Sequence, residues 1–434
     1  MAKIKKLKNV KKSVSYQKKD YINILIIHHY TLKNLGDWAI LEGTINSIKE
    51  ILPKSNFNVL SLTPDYDKKF IRDANFLPSI PPPIYSRKDY LYSLTFIIMS
   101  IIWGVLYRIS SGFINLTFFF PKLYKETLKK YIDSDIIICR ATDASFCPET
   151  FGYIPSIKGF YQLILAYLLK KDVMIYAQTI GPVKENLIGN IYKKFLIIFL
   201  NKAKVVTVRD TTSFNFLRKI GFKKVILTAD PTYTLPVPVR KIKKELKITI
   251  IPRVSTKSMK NYEKYILIIS SLIDFLIKKY NAKIIMCYQS KFLEDDDIIA
   301  IDKILSRRLD QKDKIIKIKR EYSLKDYIET ISSSNLIIST RVIGAVIGIM
   351  SCIPVIAIDY GNGKIRGFME LARMEDYCID WKELNLDILK KKTISAIKNY
   401  RYIRKRLINM RRILKYKALS NNNLLLEILN KHAT

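Results

Sequence analysis

The sequence predicts an α/β fold of two Rossmann-like, doubly wound domains facing a cleft, and three observations carry this reading. Apolar, β-branched runs such as Asp135–Cys139 (DIIIC) and Val205–Val208 (VVTV) alternate with helical patterns, as in parallel sheets covered on both faces. Pro231–Leu246 (PTYTLPVPVRKIKKEL) carries three Pro and a charge run, and the alternation resumes beyond it. The 434 residues exceed one ordinary core.

In order, the sequence predicts a basic flexible arm at 1–20, a first domain at 21–236, a linker at 237–246, a second domain at 247–395 and a basic helical region at 396–434. Expected strands in the first domain are Ile22–His28, Asn58–Leu62, Asp135–Cys139, Val173–Ala177, Lys204–Val208 and Lys224–Thr228. Expected helices are Trp38–Leu52, Pro155–Leu169, Gly189–Asn201 and Thr212–Ile220. The second domain alternates in the same way, with KITIIP, KIIMCY, KIIKI, LIIST and PVIAIDY as strands and helices between them. In such sheets ligands bind beyond the carboxyl ends of the strands, here between the two domains.

Hydrophobic residues at 49% exclude a disordered chain. The net charge of +37 has two readings, a polyanionic partner or a Lys-rich solvated surface. Since no nucleic-acid-binding signature accompanies it, no nucleic-acid partner is expected. Five Cys without a CxxC and three His indicate neither a disulfide scaffold nor a metal site, and point to a reducing, cytoplasmic compartment. The run YINILIIHHY after the basic arm reads as a first strand, too short for a signal-peptide core.

Within the first domain, Tyr90–Tyr107 is uncharged and, after Arg108, Ile109–Pro121 is uncharged again. Its length approaches a membrane span. Three readings are open: an in-plane segment at the inner face of a membrane, a buried helix, or a true span.

Five motifs fall at strand ends. Asn34-Leu35-Gly36-Asp37 opens the first helix, either as an anion-contacting turn or as a capped βα turn with Asp37 as the cap. Gln178-Thr179-Ile180-Gly181-Pro182 follows a strand and is expected to expose Gln178 and Thr179 to the cleft. Arg209 ends another strand, to hold either an anion or Asp210 or Asp230. Ser339-Thr340-Arg341 and Asp359-Tyr360-Gly361-Asn362-Gly363-Lys364 end strands of the second domain. Arg209, Arg341 and Lys364 would together suit a small ligand with more than one negative group.

The ordered series NLGD with AILEG, QTIGP, VRDTTSFNFLRKIGF with ADPTY, EDDD, STR and IPVIAIDYGNGK resembles the polysaccharide pyruvyl transferase family over about residues 22 to 400. The resemblance implies a two-domain fold similar to GT-B glycosyltransferases. It also implies transfer of an enolpyruvyl group from phosphoenolpyruvate to a sugar hydroxyl pair as a ketal. Arg209 and Arg341 then match the arginines that hold phosphoenolpyruvate, and Lys364 the lysine after the last core strand. Phosphoenolpyruvate is a substrate, and no cofactor is implied.

Two departures stand out. Ile343 takes the place of the His in the family's Arg-x-His, and Arg140-Ala141-Thr142-Asp143 replaces Gly-Gly-Asp. Asp143, Asp37 and His29 are the candidate acid and base groups. The acceptor would be a glycan or a lipid-linked oligosaccharide. A nucleotide-sugar glycosyltransferase and a silent member of the family are the competing readings.

Overall fold

A computed structural model describes residues 21–84, 86–142, 145–241, 244–253, 262–292, 295–307, 312–318, 322–360 and 363–431. The predicted arm at 1–20 and the candidate Asp143 lie outside the described residues.

Two parallel sheets form the frame. The first joins β1 (Ile22–Ile27), β2 (Ser55–Ser61), β3 (Ala74–Pro78), β4 (Ile136–Cys139), β5 (Val173–Gln178), β6 (Val205–Val208) and β7 (Val225–Leu227) in the order 3-2-1-4-5-6-7. After β8 (Lys247–Ile251) and β9 (Lys283–Met286) comes a two-stranded ribbon, β10 (Lys291–Phe292) with β11 (Asp295–Asp296). β12 (Ile315–Lys317), β13 (Leu336–Ser339), β14 (Val355–Asp359) and β15 (Cys378–Asp380) complete a second sheet, in the order 12-9-8-13-14-15. Each order reverses direction, between β1 and β4 and between β8 and β13, which opens a crevice beyond the strand ends. The sequence reading missed β3, an edge strand ending in Pro78, because Pro deprives an edge strand of a strong pattern.

In the first domain the helices are α1 (Leu35–Ile51), α2 (Pro64–Asp67), α3 (Arg87–Ile109), α4 (Lys122–Asp133), α5 (Pro148–Phe151), α6 (Tyr153–Leu168), α7 (Leu187–Lys202) and α8 (Thr211–Lys219). The second domain adds α9 (Tyr262–Tyr280), α10 (Asp297–Leu305), α11 (Leu324–Ser332), α12 (Val342–Met350), α13 (Lys364–Leu371), α14 (Leu386–Lys398) and α15 (Tyr400–Asn430). α1 starts three residues earlier than expected because Asn34 caps it, its side chain accepting from the Gly36 amide at 2.8 Å.

The last helix is more than a solvated basic rod. α15 buries Ile403, Leu407, Met410, Leu414 and Leu425 and crosses back to the first domain. There Asn421 accepts from Thr207 at 2.7 Å and Thr228 at 3.0 Å, and Asn422 accepts from Tyr176 at 2.5 Å. Arg411 donates to the Val237 and Met350 carbonyls at 2.7 and 2.8 Å, stapling the interdomain connection to the second domain.

α3 lies along α6 and buries Ser93, Phe96, Ser100, Trp103 and Gly104. The Ser100 and Tyr161 hydroxyls meet at 2.7 Å, and Arg108 donates to the Tyr167 carbonyl at 2.7 Å. The rest of its apolar surface is largely exposed, with Leu91, Ile98, Ile102 and Ile109 facing outward.

Candidate functional site

The first parts of the site come from β1, β4 and β6, whose carboxyl ends deliver His28 and His29, Arg140, and Arg209. Burial sets their chemistry. Arg140 and Arg209 are almost wholly enclosed, so each charge must be matched. Arg140 is bound to the Asp37 carboxylate. Arg209 donates to Asp230 at 2.5 Å and to Thr179 Oγ1 at 2.8 Å. Arg140 feels both Arg209 and Asp230 electrostatically, so the two ion pairs form one cluster. Of the two readings for Arg209, the salt bridge to Asp230 is realised.

The second domain adds Lys364, the first residue of α13. Its position follows from two helix starts hooked together: Thr212 donates to the Gly363 carbonyl at 2.6 Å and Thr211 to the Gly367 carbonyl at 3.3 Å. A Cβ at Gly367 would stand 2.7 Å from Thr212 Oγ1, so glycine permits this approach. The same helix lays Phe368 5.4 Å from the Arg209 guanidinium. Lys364 is buried, and desolvation lowers its pKa to about 7 against the opposing pull of Asp37. Asp37 is thus the ion-pair partner of Arg140 and acts electrostatically on Lys364, rather than being the helix cap expected from its position.

Arg341 is paired within the second domain. Its Nε donates to Asp297 Oδ1 and Oδ2 at 3.1 and 3.0 Å, and the guanidinium forks onto the same carboxylate. Asp297 also accepts from the Gln289 and Ser290 amides at 3.0 and 3.1 Å. This is the last Asp of the EDDD motif, whose role the sequence did not reveal.

Asn34 and Gly36 close the domain seam. The Leu35 amide donates to the Gln289 carbonyl at 2.8 Å, and Asn34 forms a β-bridge with Ser290. A Cβ at Gly36 would lie 2.6 Å from Gln289 Nε2 and 3.2 Å from Ile343 Cγ1. The turn is therefore capped, by Asn34 rather than by Asp37, and the Leu35 and Gly36 amides are engaged within the protein. Ile343, at the family's His position, faces this same seam.

Gln178 and Thr179 are buried, contrary to the exposure expected of them. Gln178 Oε1 accepts from the Thr142 and Thr179 amides at 2.7 and 3.1 Å, and Nε2 donates to the Arg140 carbonyl at 3.0 Å. Their role is to hold Arg140 and Arg209 in place, because a buried strand end must satisfy its polar groups internally.

His29 is buried with Nε2 3.1 Å from Asp67 Oδ2. Burial lowers its pKa, so the ring is neutral at neutral pH, with the Asp67 bond opposing the shift. Asp67 is itself fixed by the Leu32 amide at 3.0 Å and Ser61 at 2.5 Å. With Nε2–H donated to Asp67, Nδ1 is left as the acceptor; among the described residues it has no hydrogen-bond partner. A cavity of ≈ 210 Å³ adjoins, lined by His28, His29, Tyr30, Ser79, Lys158 and Gln162 among others. Its walls couple to the cation cluster, since Asp37 acts on both His29 and Tyr30.

As site residues, Arg140, Asp67 and Asp297 escaped the sequence reading. Arg140 carried a usable signal, for it ends a buried apolar strand as Arg209 and Arg341 do. Among the described residues no group of three or more His, Cys, Asp or Glu is placed to hold a metal ion, and the five cysteines are free and buried.

Residues 34–362 match the family described as polysaccharide pyruvyl transferase. The amylovoran biosynthesis protein AmsJ of Erwinia amylovora is 23% identical over 408 residues, covering 88% of this chain and 94% of that protein. Among solved structures, sucrose-phosphate synthase of Thermosynechococcus elongatus superposes with a TM-score of 0.57 at 10% identity, over 94% of this chain and 100% of that one. A glycosyltransferase of Rickettsia africae gives 0.54 at 15%, over 95% and 98%. UDP-GlcNAc 2-epimerase of Neisseria meningitidis gives 0.54 at 15%, over 95% and 100%. These likenesses establish a GT-B-like fold, and the match over residues 34–362 establishes that the chain belongs to the polysaccharide pyruvyl transferase family, a family of transferases.

Proposed function

We propose that the protein moves a pyruvyl group from phosphoenolpyruvate onto two hydroxyls of one sugar in a cell-surface polysaccharide unit, forming a ketal and releasing phosphate. The observation that carries the donor is the buried gathering of Arg140, Arg209 and Lys364, with Asp37 and Asp230 beside them. Cationic groups gathered in a low-dielectric site attract a multivalent anion strongly. The AmsJ relative, named for amylovoran biosynthesis, together with the family, supports a polysaccharide acceptor.

In this scheme C3 of the donor gains a proton and C2 becomes electrophilic. One sugar hydroxyl attacks C2, the bond from C2 to the phosphate oxygen breaks, and the second hydroxyl closes the ketal. Of the two hydroxyl protons, one ends on C3 and the other on phosphate. We assign proton acceptance from the sugar to His29, which lines the cavity and is oriented by Asp67 in the manner of a carboxylate–imidazole pair. Asp143 remains the candidate acid. Asp37 serves as counter-ion rather than as an acid. Arg341 is assigned to holding the second-domain wall through Asp297. The scheme uses no metal or cofactor. Five buried free thiols fit a reducing, cytoplasmic site of action.

Incubation with phosphoenolpyruvate and a surface-polysaccharide repeat unit should release phosphate and yield an acid-labile ketal. The fold likeness to nucleotide-sugar enzymes favours a second reading, glycosyl transfer. UDP release from UDP-sugars, with no phosphate from phosphoenolpyruvate, would establish that reading and overturn ours.

A further inference from the structure

Helices on a sheet normally turn their polar side to water, and three helices here do the opposite. On α3, with its inner side on α6, Ile98, Ile102 and Ile109 are 51%, 54% and 77% exposed. At the start of α6, Ile154 and Ile157 are 68% and 60% exposed. α7 continues the surface with Leu187 at 78% and Phe195 at 52%. The three helices adjoin: the Tyr167 hydroxyl of α6 donates to the Phe199 carbonyl of α7 at 2.9 Å, and Phe160 stacks on Phe199 with centroids 4.9 Å apart. Such a continuous apolar surface marks an interaction site.

Charge selects the occupant. Exposed Lys88, Arg108, Lys122, Lys125, Lys194 and Lys202 lie on or beside these helices. A second copy of a chain carrying +37 would bring the same positive rim against itself. An apolar surface edged with lysine suits a bilayer containing anionic phospholipid. α3 is held lengthwise on α6, where a Cβ at Gly104 would stand 3.1 Å from Leu168, so the helix would lie on the membrane rather than cross it. The ≈ 210 Å³ cavity lies beside this face: Ile84, Ile154 and Lys158 line it together with Tyr30, His29 and Gln162.

We propose that the outer faces of α3, α6 and α7 seat the protein on an anionic bilayer, and that the cavity beside them receives the sugar of a lipid-linked saccharide as acceptor. The acceptor part rests on the pyruvyl-transfer reading, whereas the membrane part does not. A lipid-linked sugar would enter the cavity past Ile84 and Ile154 without leaving the membrane surface. Lys158 would meet its anionic linkage.

The test uses the full-length protein and flotation with vesicles of phosphatidylcholine alone or with about 30% phosphatidylglycerol. The wild type should float with the anionic vesicles, and high salt should release only part of it, because screening removes the charge attraction and leaves the apolar contact. Ile98→Asp with Ile102→Asp on α3, or Ile191→Asp with Phe195→Asp on α7, should each weaken partition about tenfold or more while melting as the wild type does. If one pair unfolds the protein, the pair on the other helix decides. Wild-type protein that stays unbound to both vesicles overturns the docking face, as does unaltered binding by a folded pair. Dimers that dissociate on the same substitutions would assign the face to self-association and also overturn it.

For the acceptor, Ile154→Asp should raise KM for a lipid-linked saccharide and not for the lipid-free one. An equal rise for both overturns entry from the bilayer. Absence of all transfer would overturn the function instead and leave the vesicle result standing.

Discussion

Replacing Lys364 by Met should make the protein more stable and less able to bind its donor. The ammonium is buried and its pKa falls from 10.5 to about 7. Folding therefore disfavours its protonated form. In the unfolded chain the lysine binds a proton at every pH below about 10, so between pH 7 and 10.5 the unfolded state holds more protons than the native state. Stability then rises with pH through that window, and the penalty is fully present below pH 7. At about 1.36 kcal/mol per unit it amounts to roughly 4 kcal/mol at pH 7 and roughly 2 kcal/mol at pH 9. Lys364→Met removes it with little change in volume. For a domain of this size the melting temperature should climb by about 5–15 °C at pH 7 and by clearly less at pH 9. Differential scanning calorimetry at the two pH values reads this. Loss of a hydrogen bond to a charged ligand should weaken phosphoenolpyruvate binding by about tenfold or more, measured by titration calorimetry. A melting temperature that is unchanged or lower at pH 7, or a gain that persists undiminished at pH 9, would refute the reasoning. So would undiminished donor binding.

Further outcomes follow from neighbouring residues. Asp37→Asn strips the counter-ion from fully buried Arg140 and should destabilise by about 3–5 kcal/mol, whereas Asp37→Leu with Arg140→Met should recover most of that; equal losses in chemical denaturation would argue against a coupled pair. Gly36→Ala should destabilise by about 1–3 kcal/mol in the same assay, because its Cβ meets Gln289, which the Gly344 amide holds at 3.2 Å. His29→Asn should abolish the fall in transfer rate toward acid pH, and Asp67→Asn should shift that fall to lower pH as the imidazolium loses its partner; superimposable pH profiles would remove His29 from proton transfer. Ile343→His should raise transfer if the missing imidazole limits the reaction, and unchanged rate and donor affinity would show that position 343 serves only the domain seam.

The strand-ending arginines were legible because a charged residue directly after a buried apolar run has few innocent explanations. Their partners were legible only in part: Asp230 was one of two carboxylates named for Arg209, whereas Asp297 lies 44 residues before Arg341, a distance at which linear spacing has no meaning. Gln178 and Thr179 looked exposed because Gly181-Pro182 ends the strand abruptly. The neighbouring loops close over them, and only packing reveals that. The α3 segment left three readings open, since hydropathy counts apolar residues without saying which side of the helix a neighbour covers.

The sequence by itself determined the two parallel sheets and their approximate strands, since burial on both faces writes continuous β-branched runs into the chain. It also determined the family, through motifs at strand ends where backbone geometry restricts the residue. Tertiary structure alone decided that Arg140, Arg209 and Lys364 share one buried cluster, that Arg341 pairs with Asp297, and that α15 ties the second domain to the first. Long-range placement of charge depends on how helices pack across the crevice, and a local pattern of residues carries no information about a partner two hundred positions away.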